Sequence, residues 1–319
     1  MLRLPPMIKT ALYRAQRSTR SCDCVPYAVG GVIRGEYILK GQVLASATDS
    51  THREAYYMGQ VRDRLWIWGH EAGSHNEGWG VPSPSRMTPA EAAWYMGIPN
   101  VIFVTYQGKP EPPYDVYARA FVPLKQVVWS IVGEAGRTSD AAITGVRDVA
   151  AKFPNITGVM MDDFFHDPKP DGSLAPISHD RLQSVRATLD ECGRKLDMWV
   201  VVYTHQLDLP IAPFLDKCDV VTLWTWRQED LVNVERNLER IEALAPGKRV
   251  VLGCYMWDYG NKCEMSVENM KLQCSAGLRW LTSGRIHGMI FLASCVCDIE
   301  LPAVEWTRRW ISEHGDTVL

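Results

Sequence analysis

The chain has no long apolar run. No stretch approaches the roughly 20 residues that a helix needs to cross a bilayer, so no membrane partner is expected. It has no charge excess either: 34 Lys and Arg stand against 37 Asp and Glu, for a formal net charge of −3. That balance gives no reason to expect nucleic acid or an anionic surface as partner. No Gly-x-Gly-x-x-Gly follows an apolar segment, which argues against a dinucleotide fold, and the residues call for no cofactor. The basic N-terminus is interrupted by Pro5, Pro6, Lys9 and Arg14 and lacks the apolar centre of a secretory signal. The nine cysteines are an odd number, and Cys192, Cys254, Cys274 and Cys295 fall in predicted elements. They read as buried free thiols of a cytoplasmic protein. Cys22-x-Cys24 and Cys295-x-Cys297 lack the Cys-x₂₋₄-Cys spacing of structural zinc.

What is present is a repeated alternation. Eight short apolar runs, rich in Val, Ile and aromatic residues, lie between Arg64 and Gly315, each followed by an amphipathic stretch. Runs apolar on both faces suit parallel strands covered by helices. Eight β-α repeats point to an α/β fold of the closed (β/α)₈ type rather than an open doubly wound sheet. The expected strands are 65–69, 101–106, 126–132, 158–163, 198–203, 220–226, 250–257 and 288–294. Thr88-Pro89-Ala90-Glu91 combines an N-cap, a first-turn proline and a capping-box glutamate. Further helices are expected over 139–153, 179–192, 228–245, 266–282 and 302–313, with a short connection at 213–217. Residues 1–60 read as a β-rich extension with strands near Tyr27–Arg34 and Tyr37–Leu44, and 61–319 as the barrel.

In such a barrel the chemistry sits at the C-terminal ends of the strands. There the sequence places His70 and Glu71, Tyr106, Glu134, Asp162 and Asp163, Tyr203 and His205, Trp224, Trp226 and Arg227, then Tyr255, Trp257, Asp258 and Tyr259. Trp and Tyr offer flat apolar faces for the C–H surface of a sugar ring together with a polar handle. This makes His70, Tyr106, Tyr203, His205, Trp224, Trp226, Arg227, Tyr255 and Trp257 the substrate-binding candidates. Trp66, Trp199, Trp280, Trp306 and Trp310 are read as core.

Asp162, Asp163, Asp258 and Glu71 are the candidate catalytic carboxylates. Side chains alternate along a strand, so Asp162 and Asp163 are not expected to face the mouth together. One would reach substrate and the other would tie down a neighbouring loop or a cation such as Arg227. Opposed carboxylates can straddle a glycosidic bond, about 5 Å apart for a covalent intermediate or about 6.5–9.5 Å apart for an interposed water. An apolar rim can raise one pKa enough to keep an acid protonated.

With these residues in place, the chain over about 64–315 resembles the (β/α)₈-barrel glycoside hydrolases. The resemblance implies an acid/base after strand four, where Asp162-Asp163 stands in place of Asn-Glu. It implies a nucleophile at strand seven, where Asp258 stands in place of Glu. Acid and base therefore stay unassigned among Asp162 or Asp163 and Asp258 or Glu71. A divalent-metal hydrolase or sugar isomerase is the first alternative, since His70, Glu71, His75, Asp162, Asp163, His166, His205 and Asp258 supply N and O donors. A non-catalytic carbohydrate-binding barrel is the second. A Schiff-base aldolase would need a strand-end lysine that the eight windows lack. The loops at Tyr259–Cys263 and Cys295–Asp298 match a phosphate site poorly.

Overall fold

The computed structural model describes residues 59–319. The strands expected near Tyr27–Arg34 and Tyr37–Leu44, and the Cys22-x-Cys24 pair, lie outside the described residues. Eight strands run parallel and close on themselves. They are β1 (Leu65–Gly69), β2 (Asn100–Phe103), β3 (Gln126–Val132), β4 (Ile156–Met161), β5 (Asp197–Tyr203), β6 (Val220–Trp224), β7 (Arg249–Tyr255) and, after a small hairpin of β8 (Trp257–Asp258) and β9 (Cys263–Glu264), β10 (Gly288–Leu292). β10 pairs with β1 and with β7, which completes the ring. Closure removes every free strand edge from the sheet.

The helices alternate with the strands: α1 (Pro89–Met96), α2 (Asp115–Ala120), α3 (Asp140–Lys152), α4 (His179–Asp190), α5 (Ala212–Leu215), α6 (Val234–Leu244), α7 (Val267–Thr282) and α8 (Pro302–His314). The capping box at Thr88 is formed, with Glu91 Oε2 accepting from the Thr88 amide at 2.8 Å. The stretch 228–245 divides into a 3₁₀ segment over Gln228–Asn233 followed by α6. The short α2 had no distinct signal in the sequence. Five of the eight strands stop two or three residues before the expected end, because the final residues leave the ladder to form the mouth.

Inward positions follow period two. On β1 they are Trp66 and Trp68, on β5 Trp199 and Val201, on β6 Thr222 and Trp224. Trp66 and Trp199 meet edge to face at 5.3 Å, and Trp68 and Trp224 form a second such pair at 5.3 Å. Indoles of this size fit inside because the neighbouring strands carry glycine, Gly288 on β10 beside β1 and Gly253 opposite Trp224 in the β6–β7 ladder. A Cβ on Gly288 would lie 2.3 Å from the Trp66 ring, and one on Gly253 would lie 2.1 Å from the Trp224 ring. The barrel is thus filled in layers, and the Trp68–Trp224 layer closes it below the mouth. Trp280 and Trp310 are buried and Trp306 packs against the core from its edge, as their pattern implied.

Candidate active site

Above the Trp68–Trp224 layer lies a cavity of about 250 Å³, near the lower end of small-molecule sites, which begin at about 300 Å³. Its wall is built by the same inward parity, on the strand ends and up to three residues past them: His70 after β1, Tyr106 after β2, Asp162 after β4, Tyr203 on β5, Trp226 after β6, Tyr255 on β7 and Leu292 on β10. Three loops add Glu134 and Ala135, His75 and Trp79, and Tyr259.

Both aspartates after β4 line this cavity, which corrects the expectation that only one could. Alternation holds inside a strand, but β4 ends at Met161. Asp163 lies beyond it in the left-handed region, with φ at 42°, a conformation that Asp tolerates better than most residues. The preceding ladder is already irregular: Ser130 pairs with Met160 and Val132 with Met161, which leaves Ile131 as a bulge. Bulges re-aim side chains at barrel rims. The Asp162 amide returns to the ladder by donating to Val132 O at 2.9 Å.

The two carboxylates have different surroundings. Asp162 is 7 % exposed, and its Oδ1 accepts the Asp163 amide at 2.9 Å. No described residue donates to its other oxygen. Burial first, and the adjacent Asp163 charge second, push its pKa well above the ordinary carboxylate range. Asp163 accepts the Tyr203 hydroxyl on Oδ1 at 2.7 Å and the Ala135 amide on Oδ2 at 2.8 Å. Ala135 is also left-handed, with φ at 53°, so two non-glycine residues in sparsely populated backbone states are joined here by one hydrogen bond. Such outliers persist where the surroundings over-determine them. The third carboxylate, Glu134, lines the cavity and accepts Arg137 Nη1 at 2.9 Å.

The histidines are neutral donors or acceptors. His70 Nδ1 lies 3.0 Å from Val104 O, which can only accept, so Nδ1 carries the hydrogen. Its Nε2 then accepts the Trp68 indole N–H at 3.1 Å. Burial lowers the His70 pKa to about 4. Burial, with His70 beside it, lowers that of His75 to about 2. His75 Nδ1 lies 3.2 Å from the Tyr259 hydroxyl. The phenols of Tyr203, Tyr255 and Tyr259 are raised well above their usual range, again mainly by burial.

Five residues expected at the site do not line the cavity. Asp258 is fully buried, with its carboxylate filled by the Gln228 amide at 3.2 Å, the Asn261 amide at 2.9 Å and Asn261 Nδ2 at 2.8 Å. It clasps two loops. Glu71 has outward parity relative to His70 and accepts the Tyr117 hydroxyl at 2.6 Å. His205 is exposed and stacks on the outside of Tyr203 at 5.4 Å. Trp257 is buried and donates its indole N–H to Trp79 O at 2.9 Å, so it supports the loop that carries Trp79. Arg227 precedes the 3₁₀ segment and contacts neither aspartate after β4 through a hydrogen bond or ion pair.

Half of the lining was absent from the expected site: Trp68, Val201 and Leu292 on strands, and His75, Trp79, Glu134, Ala135 and Tyr259 in loops, although His75, Glu134 and Tyr259 were visible as polar or aromatic residues near strand ends. Trp79 carried no such signal: it lies in the long β1–α1 connection and reaches the cavity by donating to the Tyr106 hydroxyl at 2.9 Å. That connection is pinched at its neck by Asn76, which donates to Ser85 O at 3.0 Å and accepts the Ser85 amide at 2.7 Å.

Among the described residues no group of three or more His, Cys, Asp or Glu side chains is arranged to hold a metal ion. No described helix is long and apolar enough to cross a membrane.

No protein-family model matches the sequence, and no curated protein matches it. Solved structures do share the fold. The catalytic domain of a hyperthermophilic chitinase from Pyrococcus furiosus aligns with a TM-score of 0.50 at 12% identity, covering 74% of this chain and 86% of that one. The spore cortex-lytic enzyme SleL from Bacillus megaterium aligns with a TM-score of 0.50 at 12% identity, over 81% of this chain and 75% of the other. A xylanase-α-amylase inhibitor protein in complex with trehalose also aligns at 0.50 and 12% identity, over 79% and 98%. The chain is similar in fold to these barrels, two of which bear the names of enzymes and one the name of an inhibitor.

Proposed function

We propose that this barrel is a glycosidase whose working carboxylates are Asp162, Asp163 and Glu134. The observation that carries the reading is the unequal aspartate pair in one aromatic-walled cavity. Asp162 is buried with an open oxygen, while Asp163 has both oxygens engaged as acceptors. A raised pKa keeps Asp162 protonated into a higher pH range, so it can hand its proton to the departing glycosidic oxygen. Asp163 faces the positive charge that develops on the sugar ring in an oxocarbenium-like transition state. Glu134 is the carboxylate left to activate water. Tyr203 and the Ala135 amide fix the Asp163 carboxylate in place, which removes reorganisation from the reaction coordinate. Trp68, Trp224 and Trp226 offer the apolar faces on which a ring can rest. The barrel likeness to a chitinase domain and a cortex-lytic enzyme is in keeping with this reading at the level of fold.

The test is hydrolysis of a panel of aryl glycosides by the wild type and by Asp162→Asn, Asp163→Asn and Glu134→Gln. Asp162→Asn should lower kcat by about 10²–10⁴ while sugar binding persists. In the wild type kcat should fall as pH rises through the folded Asp162 pKa, since the acid is then lost, and the Asn variant should lack that limb. Undiminished turnover in all three variants would remove the proposal. Binding without hydrolysis of any glycoside would leave a carbohydrate-binding barrel in its place.

A further inference from the structure

The lining of the cavity also carries information about the charge of its ligand, and this inference deepens the glycosidase reading of the same site. Of the sixteen lining residues none is Lys or Arg, whereas Glu134, Asp162 and Asp163 are all acidic. Arg137 pairs with Glu134 from outside, its own side chain being 67 % exposed. Asp163 is met only by a hydroxyl and an amide, neither of which brings a full positive charge. Asp162 is more than nine-tenths buried and keeps one oxygen without a donor from any described residue. The two histidines supply no charge to offset these groups, because both are buried in the wall and both nitrogens of His70 and Nδ1 of His75 are engaged with neutral partners. The remaining polar surface is phenol and indole, and the aromatic faces present the negative side of their quadrupoles.

An acidic sugar would meet the Asp163 charge, which no cation offsets, and a Glu134 already paired with Arg137 from outside, so no cation in the lining is left to receive it, which is costly in a partly dry site. A neutral sugar would leave the anionic character unanswered. An ammonium group answers it twice, by charge-assisted hydrogen bonds to the oxygens of Asp163 and Glu134, with Asp162 held as the neutral acid, and by cation–π attraction to the surrounding rings. In a 2-amino sugar that group sits on the carbon next to the reacting centre, so the carboxylates that face the glycosidic bond face the amine as well.

We propose that the cavity takes a sugar ring bearing a free, protonated amine, a hexosamine glycoside rather than a neutral, N-acetylated or acidic one. The test is titration of the full chain, followed by fluorescence of the lining tryptophans, with glucosamine disaccharide, its N-acetylated form, cellobiose and a glucuronate-containing disaccharide at one pH and ionic strength. The free amine should bind at least about tenfold more tightly than the neutral and acetylated sugars, and the acidic sugar should not saturate. That advantage should shrink in Asp163→Asn and in Glu134→Gln, the second variant guarding against misfolding of the first. Equal or tighter binding of the neutral or acetylated sugar, an undiminished advantage in both variants, or saturation by none of the four overturns the proposal. The same sugars separate this inference from the glycosidase reading. Amine-selective binding with no cleavage retains the inference and removes the hydrolase, while cleavage without amine selectivity does the opposite.

Discussion

His70 and His75 are buried side by side in the wall of the cavity, 4 % and 2 % exposed, and their ring centroids lie 5.1 Å apart. A second imidazolium there would be both desolvated and repelled, which is why each stays neutral. The cost appears in the pH dependence of stability. A histidine with a depressed folded pKa is protonated first in the unfolded chain. Its contribution is therefore whole above about pH 6.5 and is lost as pH falls toward the folded value, about 4 for His70 and about 2 for His75. Between these limits each such histidine adds about 1.4 kcal/mol per pH unit to the slope. His75→Gln should lower the slope of unfolding free energy between pH 6 and pH 4 by about that amount, read from urea midpoints at several pH values. An unchanged slope would mean that His75 is solvated in the folded protein.

At the scale of elements, the connection between β1 and α1 is the part that turns a barrel end into an enclosed pocket. It delivers His75 and Trp79, and it is held at three points: the reciprocal Asn76–Ser85 pair, the Trp257 indole on Trp79 O, and the capping box at Thr88 where α1 begins. Trp79 adopts φ of 61°, an unfavourable state for a bulky residue, so the loop needs these ties to keep its shape. Asn76→Ala removes two hydrogen bonds, worth about 1 kcal/mol each, and loosens the loop without touching the carboxylates. KM, or the sugar dissociation constant, should rise several-fold to about 30-fold by that arithmetic, with kcat changed far less. A fall in kcat with KM unaltered would show that the loop serves the chemistry and not the binding.

For the whole molecule, closure and filling are one problem. A ring of eight parallel strands must be filled by side chains from every strand, and this chain does so with indoles where many barrels use branched aliphatics. The cavity exists because that filling stops at the Trp68–Trp224 layer. Gly253 is the space that lets Trp224 lie flat, since any Cβ there would overlap the ring. Gly253→Ala should destabilise the protein by about 1–3 kcal/mol through overpacking, seen as a lower denaturant midpoint, and should weaken sugar binding as Trp224 tilts into the cavity. Full stability with unaltered binding would mean that the layer has slack the packing does not show.

Much of this was legible beforehand. The number and order of the barrel strands follow from eight apolar runs separated by amphipathic ones, because buried parallel strands and covering helices leave different periods in the sequence. The inward set Trp66, Trp68, His70 and the set Trp199, Val201, Tyr203 follow from period two, but the sequence left open whether His70 or Glu71 faced the mouth, and the structure turned Glu71 outward onto Tyr117. Past the last laddered residue that rule still places His70, Tyr106, Asp162 and Trp226, but it fails for the loop residues around them. Asp163 faces the cavity through a left-handed backbone, Asp258 turns away into a clasp of loop amides, and Trp79 arrives from a connection with no period at all. The sequence by itself determined the barrel and the inward face of each strand, since local periodicity encodes both. Only the tertiary structure decided which carboxylates share the cavity, because loop backbones take their course from contacts with distant segments, and no spacing along the chain records those contacts.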